Sequence, residues 1–413
     1  MIIPALLLSS GRAVVLEADG GDRVLPEPPL GLARVLSRYG ELAVLDLDAE
    51  RGTGDNLELL CQICRKAECR AGGGIKDEAR GDALLRAGAR SIMVGVDTGE
   101  ELLSRFPRRK VLVVMDIQAG RVVRKGSQGD SLSDPVELAV RMRGSCGGFV
   151  YSLAGNRSSM EPSEMERLEA LRSRLPDHSL TVVGGVRRSE DVRSLDHLGV
   201  DAQVTFGESA EELDLAECLA AVPDFDKAGG LLPVIVQDAA GQVVALHQTN
   251  QEGLIASLRT GQATYWSRVR GGLWIKGEGS GTPQDLLTIR ISGNRDALLY
   301  AVEQTGAADS RGRYSAFDEM SYNLHRLEQV LRKRLVADDP RRSYSSAMLA
   351  DREGVRRQIL EEARALGASK TLEEVRWETA DLIYYLLLNL VQEGLSLDDI
   401  LRELRGRAGR RRS

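Results

Sequence analysis

Short apolar runs alternate with amphipathic stretches through the first half of the chain. Residues 2–8 (IIPALLL) and 111–115 (VLVVM) are apolar runs of the length of a buried strand, and each is followed by residues with helical spacing. Strands that alternate with helices favour a parallel sheet with crossover helices. The pattern therefore predicts an α/β fold.

An internal repeat sharpens this prediction. Residues 72–95 and 183–207 each predict a strand, a Gly-Gly turn, a helix and a second strand that ends in glycine, with Gly74 aligned to Gly185. Two halves of four strand–helix units have the size of a (β/α)8 barrel. We expect such a barrel over residues 1–222.

The pattern changes twice after the barrel. Residues 222–230 are rich in Gly, Pro and Asp and lack periodicity, which predicts a boundary. Residues 232–246 predict two strands around an Ala-Gly turn, the start of a small mixed β domain of the α+β class over residues 231–318. From residue 319 to 413 apolar positions recur every three to four residues, as in 322–335, which predicts an all-α part.

Composition places the chain among ordinary globular proteins. Its 413 residues suggest two to four domains, and charged residues at 28% and hydrophobic residues at 42% are typical values. A net charge of −6 argues against nucleic acid as a partner, and the basic tail at 405–413 is typical of a solvated helix end. The apolar start lacks a basic segment and is too short to span a bilayer, so we expect a cytoplasmic protein without a membrane partner.

The cysteine pattern gives a weaker signal. Cys61, Cys64 and Cys69 have a spacing that suggests a metal knot, but the run from 56 to 64 is apolar at helical spacing. We expect Cys61 and Cys64 on a buried helix face, since no second CxxC would complete a structural zinc site.

Residues 265–281 (YWSRVRGGLWIKGEGSG) carry the densest candidate chemistry. Cationic side chains stand beside glycines that let backbone approach a ligand closely, which is the mixture a phosphate site requires. The candidate phosphate-binding residues are Arg268, Arg270, Lys276, Gly277 and Ser280, with Gly279 and Gly281 beside them.

This segment resembles the substrate-binding signature of phosphoribosyl-AMP cyclohydrolase, and the resemblance extends over residues 231–318. That family continues with Asp-Cys-Asp-x-Asp, Cys-His and Ser-Cys-Phe, which hold zinc and magnesium. The corresponding segments here are SGNRD at 292–296, AD at 308–309 and SAF at 315–317. Gly293, Ala308 and Ala316 replace the three thiolates, and Asp296 alone remains of the acidic run. We therefore expect no zinc and no cyclohydrolase activity.

The barrel region resembles the phosphoribosyl isomerase of the histidine pathway, in LDLD at 45–48, Gly54, Asn56 and GGI at 73–75. The resemblance implies a substrate with two phosphates. Its paired glycines suit phosphate capture by backbone N–H groups at helix N-termini, although they could equally serve only to shape tight turns. The candidate phosphate-binding glycines are Gly73, Gly74, Gly184 and Gly185.

The isomerase family uses one Asp in the first strand and one in the fifth as general acid and base. The matching positions here are taken as Leu7 and Leu153. Because leucine cannot transfer a proton, isomerase activity is not expected.

The C-terminal part resembles phosphoribosyl-ATP pyrophosphohydrolase, an all-α, MazG-like family, in SYS at 343–345, ILEEA at 359–363 and WETADLIY at 377–384. That family binds its metal with Glu-Glu-x-x-Glu on one helix and Glu-x-x-Asp on the next. The resemblance makes Glu361, Glu362, Glu378 and Asp381 the catalytic and Mg²⁺-binding candidates, with Ala365 in place of the fifth acid. The competing interpretation is that such residues belong to an ordinary solvated helix face.

Two functions follow as hypotheses. The first is an Mg²⁺-dependent pyrophosphohydrolase acting on phosphoribosyl-ATP or another nucleoside triphosphate. The second is a non-catalytic pseudoenzyme that binds phosphoribosyl nucleotides or organises active paralogues of the pathway. A third possibility is that Arg295, Arg311 and Arg313 replace lost metal charge on a different phosphoribosyl substrate. The families it resembles form dimers, so we expect a homodimer.

Overall fold

The computed structural model describes residues 1–17, 21–123, 131–153, 160–206, 213–309, 311–317, 320–336 and 343–410. Side chains of residues 131, 132, 402 and 405–410 lie outside that description, as do residue 207 at the end of the second repeat and residues 411–413 of the basic tail. The chain divides into two compact units, residues 1–317 and 318–413.

The first unit begins with a series of strands and helices in regular alternation. In chain order these are β1 (Ile2–Ser9), β2 (Arg12–Leu16), β3 (Asp22–Val24), α1 (Pro29–Leu36), β4 (Leu42–Asp46), α2 (Leu47–Arg51), α3 (Leu57–Lys66), β5 (Cys69–Gly72), α4 (Glu78–Arg86), β6 (Ser91–Gly95), α5 (Glu100–Ser104), β7 (Val111–Gln118), β8 (Arg121–Val123), β9 (Ser131–Ser133), α6 (Pro135–Met142), β10 (Gly148–Ser152), α7 (Pro162–Arg174), β11 (Ser179–Val183), α8 (Ser189–His197), β12 (Asp201–Thr205) and α9 (Leu215–Ala220).

Eight of these strands form a closed parallel barrel, which confirms the predicted fold. The barrel order is β1, β4, β5, β6, β7, β10, β11 and β12, and the pairing of β12 with β1 closes it. The first and fifth strands, β1 and β7, each continue into an antiparallel extension, β2–β3 and β8–β9 respectively. This repeated extension agrees with the half-barrel duplication inferred from the sequence.

The barrel interior is filled by side chains at alternate positions of the strands, as the period of two requires. An apolar cluster occupies its centre, formed by Ile3, Ala5, Ala43, Met93, Leu112 and Val150. Toward the amino ends of the strands, buried Arg70 donates from Nη2 to Glu41 (2.7 Å) and from Nη1 to Thr181 (2.8 Å). The barrel is therefore packed through its centre.

The second part of the same unit is a small mixed β structure. Its elements are β13 (Leu232–Asp238), β14 (Val243–Thr249), α10 (Gln251–Thr260), β15 (Thr264–Ser267), β16 (Gly272–Ile275), β17 (Gln284–Ile291) and β18 (Leu298–Gln304). The sheet order is β14-β13-β18-β17, with β13 and β18 parallel and the other neighbours antiparallel, while β15 and β16 form a separate hairpin.

The barrel and the small sheet share one hydrophobic core, since buried residues of both belong to a single cluster. Helix α9 packs against α10 and buries Ala216, Cys218, Leu219 and Ala220. Helix α10 of the second part therefore completes the packing of the barrel's last helix.

The second unit is helical, as predicted. It contains α11 (Leu324–Val336), α12 (Tyr344–Ala350), α13 (Arg352–Ala368), α14 (Leu372–Gln392) and α15 (Leu397–Arg410). Its core is formed by Leu331, Leu349, Val355, Tyr385, Leu387, Leu388 and Val391. Thr371 starts α14 with a capping box, in which its hydroxyl accepts from the Glu374 N–H and the Glu374 carboxylate accepts from the Thr371 N–H.

Candidate functional site

Helices α13 and α14 bring the predicted acidic residues together. The two helices run antiparallel, because Arg352 Nη2 donates to the Gln392 carbonyl (2.9 Å) at one end while Glu362 and Glu378 meet nearer the other. The carboxyl groups of Glu362 and Glu378 lie within hydrogen-bonding reach of each other. Both side chains are half-buried. Two positions predicted from separate helices are therefore neighbours.

The electrostatics of this pair reflect crowded negative charge. Burial raises the pKa of Glu362, and the hydrogen bond with Glu378 and the charges of Asp381, Glu378 and Glu361 raise it further. Like charges at short range disfavour joint ionisation, so the group retains a proton more readily than an isolated glutamate. Such an arrangement is suited to attract a cation.

The four acidic side chains nevertheless do not form a closed site. Glu361 and Asp381 are exposed, and Glu361 accepts from Gln358 Nε2 (2.8 Å). Within the described residues, no three His, Cys, Asp or Glu side chains are grouped so that they could hold a metal ion as they stand. The donor chemistry nevertheless fits Mg²⁺, since carboxylate oxygens with bound water are its usual ligands. Ala365, in place of the fifth acid, is half-buried on α13 one turn after Glu361.

The residues of the predicted phosphate cradle lie on the β15–β16 hairpin and the turn after it. Arg268 and Arg270 are exposed at the hairpin tip, where Arg268 Nε donates to Gln248 (2.8 Å) and Arg270 Nη1 lies 3.9 Å from Glu278. Lys276 is buried and donates to the Ala307 carbonyl (3.1 Å) and Thr282 (3.4 Å). The arginines and Lys276 therefore do not point to one common centre.

The turn after this hairpin requires Gly277. A Cβ on Gly277, whose φ is +95°, would meet Pro283 atoms at 2.6 Å. Ser280 is exposed and its hydroxyl lies 2.7 Å from that of Thr282. Close packing of the chain on itself accounts for this glycine.

The segments that replace the cyclohydrolase metal ligands make structural contacts instead. Arg295 adopts a left-handed conformation (φ 60°) and donates from Nε to the Asp196 carboxylate (2.5 Å) and from Nη2 to the Asp196 carbonyl (2.8 Å). Arg313 pairs with Asp309 at 2.7 Å. Of the three arginines proposed to replace metal charge, two are therefore engaged by carboxylates of the chain, while Arg311 is exposed.

The paired glycines of the barrel follow the carboxyl ends of β5 and β11, as predicted. A Cβ on Gly73 would lie 2.2 Å from the Asp46 carbonyl oxygen, and one on Gly74 would lie 2.6 Å from Ala49. A Cβ on Gly184 would lie 2.8 Å from the Leu153 carbonyl oxygen. All four glycines of this set have positive φ. Tight βα turns therefore account for most of them without a ligand.

The LDLD segment forms a buried network beside these turns. Asn56 donates from Nδ2 to Asp46 (2.7 Å) and Asp48 (2.9 Å), and Arg80 donates from Nη2 to Asp46 (2.5 Å). The Ser10 N–H donates to Asp48 (2.5 Å), which ties the β1–β2 turn to the next strand end. A polar cavity of about 600 Å³ opens beside this network, between the β1–β2 turn and the start of α3.

One assignment at the barrel mouth was wrong. Leu153 follows β10, which is the sixth barrel strand, whereas the fifth is β7. At the carboxyl end of β7 the position that continues the inward-facing series Leu112 and Val114 is Asp116. Burial raises the pKa of Asp116, a hydrogen bond with Ser152 opposes that shift and Asp97 adds to it. The period of two along 111–118 could have revealed this carboxylate.

Leu7 is placed as predicted at the inner face of the first strand. It packs with Val14 and Leu47, and Leu16 and Leu45 lie against the same cluster. The inward-facing positions at the carboxyl ends of the first two barrel strands, β1 and β4, are therefore apolar, whereas the fifth barrel strand, β7, carries a carboxylate there.

Cys61 and Cys64 lie on the buried face of α3, which confirms their predicted placement. Cys69 Sγ approaches Cys64 Sγ to 3.3 Å, and all three are free thiols.

None of the helices in the described part of the chain combines the length and the apolar character that a membrane span requires.

Three protein families match successive parts of the chain. Residues 1–210 match the family "Histidine biosynthesis protein", residues 246–318 match phosphoribosyl-AMP cyclohydrolase and residues 324–408 match phosphoribosyl-ATP pyrophosphohydrolase. The order is that inferred from the motifs.

Curated relatives show the same relationship. A histidine biosynthesis bifunctional protein of Photobacterium profundum is 35% identical over 198 residues, which cover 45% of this chain and 95% of the relative. A bifunctional protein of Schizosaccharomyces pombe is 30% identical over 330 residues, 78% of this chain and 75% of the relative. A trifunctional protein of Komagataella pastoris is 27% identical over 324 residues, 78% of this chain and 36% of the relative. The chain thus belongs to the histidine biosynthesis protein family, with a barrel followed by cyclohydrolase-type and pyrophosphohydrolase-type parts.

Proposed function

We propose that the helical unit is an Mg²⁺-dependent pyrophosphohydrolase for phosphoribosyl-ATP or a related nucleoside triphosphate. The observation that carries this proposal is the convergence of Glu362 and Glu378 from two helices, with Asp381 and Glu361 close enough to raise the pKa of Glu362. A surface helix with unrelated charges would have no reason to accumulate one sign of charge against a neighbouring helix. The pyrophosphohydrolase match over residues 324–408 supports the same activity.

Each acidic residue has a role in this proposal. Half-buried Glu362 and Glu378, together with exposed Asp381 and Glu361, would hold the ion through their carboxylate oxygens. Bound Mg²⁺ would neutralise charge on the triphosphate and lower the pKa of an attacking water. Because Ala365 offers no carboxylate, a water would have to complete the coordination of the ion.

The barrel and the small sheet are proposed to be inactive as isomerase and cyclohydrolase. Leu7 presents no titratable group from the first strand, and Asp116 would have to act without it. Gly293, Ala308 and Ala316 offer no thiolate for zinc. The barrel and the small sheet contribute either by binding phosphoribosyl nucleotides or by stabilising the fold of the chain.

A second candidate is a non-catalytic member of the pathway that binds phosphoribosyl nucleotides and organises active paralogues. The open acidic set, with Ala365 in place of one acid and two exposed carboxylates, favours this alternative. Both candidates act in the cytoplasm, without nucleic acid or membrane.

We further propose that the protein is a homodimer through α14. Exposed Leu372 (90%), Val375 (40%) and Leu386 (43%) recur at intervals that place them on one side of this helix. A repeated apolar stripe of this kind is typical of a helix that packs against a second copy.

The proposal is tested by measuring pyrophosphate release from ATP and from phosphoribosyl-ATP with Mg²⁺, on the wild type and on Glu378→Ala. Release by the wild type that the substitution abolishes would establish the hydrolase. Thermal melting with Mg²⁺ supplies the second readout: a rise in Tm for the wild type but not for Glu378→Ala, without pyrophosphate release, would favour the non-catalytic candidate. If neither pyrophosphate release nor a rise in Tm is observed, the proposal of a metal site is refuted.

A further inference from the structure

Trp377 occupies an unusual position on α14. It lies four residues before Asp381, seven before Tyr384 and eleven before Leu388, so the helical period places all four on one stripe. Leu388 is fully buried in the core of the helical unit and Tyr384 packs against that core. Trp377 itself is 62% exposed. The core-facing stripe of α14 thus continues past Asp381 to an aromatic ring that no described helix covers.

The stripe that carries Trp377 is not the one proposed for the second copy. Leu372, Val375 and Leu386 lie about half a turn around the helix from Trp377 and Tyr384, given about 100° per residue. A partner seated on the first stripe therefore leaves Trp377 open. Its ring is an exposed apolar surface, and the candidate metal ligand Asp381 lies one turn further along the same helix face.

A second exposed aromatic residue borders the same carboxylates. The Tyr344 hydroxyl lies 2.6 Å from that of Tyr385, and Tyr344 is 60% exposed. Tyr385 in turn is close enough to Glu362 and Asp381 for their charges to act on it. The acidic set is thus flanked by Trp377 on one helix and Tyr344 on another. Large exposed aromatic faces beside a polar site commonly serve to bind an apolar, planar ligand group.

We propose that Trp377 is the base-stacking surface of the helical unit, a residue beyond the acidic set that holds the nucleobase of its triphosphate substrate. This inference rests on the proposed function, in which the acidic set and its cation hold the phosphates. Every base has a π-face, so stacking on an indole favours nucleotides over base-free polyphosphates but discriminates weakly among bases. Tyr344 completes the aromatic border of the acidic set.

The test uses the full chain with Trp266→Phe and Trp274→Phe, which leaves Trp377 as the single tryptophan among the original three. α,β-Methylene-ATP and inorganic tripolyphosphate are titrated in Mg²⁺. We expect the nucleotide analogue to change Trp377 fluorescence and tripolyphosphate to leave it unchanged. In the otherwise native chain, Trp377→Ala should weaken binding of the analogue by about tenfold, as the loss of one stacked base implies, and leave tripolyphosphate affinity within about twofold.

Trp377→Phe retains an aromatic face and should lose much less affinity than Trp377→Ala, which also separates stacking from misfolding. Leu404→Ala, at an exposed position of α15 (52%) outside both stripes of α14, is the matched control and should leave nucleotide affinity unchanged. Equal losses for the analogue and tripolyphosphate, or a Trp377→Ala protein that loses dimer but not nucleotide affinity, would overturn the inference while the metal site stands. If Mg²⁺ supports binding of neither ligand, the proposed function fails and the stacking role with it.

Discussion

The imidazole of His247 is held among aromatic rings of the small sheet. Its ring centroid lies 4.3 Å from that of Tyr265 and 5.7 Å from that of Trp274, and its buried Nε2 has no hydrogen-bond partner among the residues that the structure describes. Burial, with a smaller effect from the nearby Lys276 charge, lowers the pKa of His247 to about 4. The folded state therefore disfavours the protonated form of the His247 imidazole.

As a consequence, the free energy of unfolding should decrease as the pH falls. The folded pKa lies below the unfolded value of 6.5, so the unfolded state takes up the proton first, and the loss begins below about pH 6.5 and is complete near pH 4. At pH 5 it should amount to about 2 kcal/mol in the wild type and be absent in His247→Phe. Urea unfolding at pH 7 and pH 5 measures it. His197→Phe, at an exposed position, is the control, and an unchanged pH dependence in His247→Phe would contradict this account.

Gly73 gives a second prediction at this scale. Alanine at Gly73 would place its Cβ 2.2 Å from the Asp46 carbonyl oxygen at a φ of +96°. We expect Gly73→Ala to lower the free energy of unfolding by about 2–4 kcal/mol through strain and overpacking. Gly279 has open space around it, so Gly279→Ala should change stability by less than about 0.5 kcal/mol. Equal effects of the two substitutions in denaturant unfolding would refute the packing argument.

Sequence motifs located individual residues along the chain, but they did not reliably assign each residue to its strand of the barrel. Leu7 occupies the inner face of its strand as expected, yet Leu153 was assigned to the fifth strand and belongs after the sixth. The error arose because a short motif fixes a residue's neighbours along the chain but not the order of its strand in the barrel. Asp116, inside β7, was missed although its alternating neighbours were visible in the sequence.

At the scale of elements, the pairing of α13 with α14 was only half visible in the sequence. Helical spacing identifies both helices, and the family motif names their acids. The contact between Glu362 and Glu378 depends on the length of the connection and the packing angle, which spacing alone does not give. The same limit applies to α3, where periodicity located Cys61 and Cys64 on the buried face but not the approach of Cys69 to Cys64.

Ala365 permits a direct test of this helix pair. Ala365→Glu places a further carboxylate on α13, one turn from Glu361, where the resemblance expects an acid. More anionic ligands raise the affinity of a site for a hard divalent cation, so Mg²⁺ should bind on the order of tenfold more tightly. Isothermal titration and the Mg²⁺-dependent rise in Tm measure the gain. Ala363→Glu, at an exposed neighbouring position, adds the same single charge and is the control, and an equal gain there would argue against a defined site.

At the scale of the whole first unit, arginines join the barrel to the small sheet. Arg259 pairs with Asp214 at 2.5 Å, and Arg38 donates from Nη1 to the Leu258 carbonyl (3.2 Å) at the end of α10. Arg295 reaches Asp196 at 2.5 Å. The sequence predicted the boundary near residues 222–230 but not these contacts, because ion pairs between distant segments leave no local pattern.

Arg295 and Asp196 should be coupled energetically. Their side chains are 24% and 12% exposed, so Arg295→Ala leaves a largely buried carboxylate with fewer partners and should cost about 1–3 kcal/mol. A double-mutant cycle with Asp196→Ala should give a coupling energy of at least about 0.5 kcal/mol. The exposed pair Arg290–Glu68, at 3.9 Å, should show almost none. Indistinguishable coupling in the two cycles would mean that Arg295 does not join the two parts.

The burial of α9 against α10 also sets an order of events during synthesis. The helix that completes the barrel ends at residue 220, but the helix that covers it ends at residue 260. A ribosome adding ~5–20 residues per second needs about 2–8 s to make the intervening segment. Throughout that interval the nascent barrel presents an uncovered apolar face. Chaperones that recognise such surfaces therefore have a defined window on this chain, which closes when α10 emerges and packs.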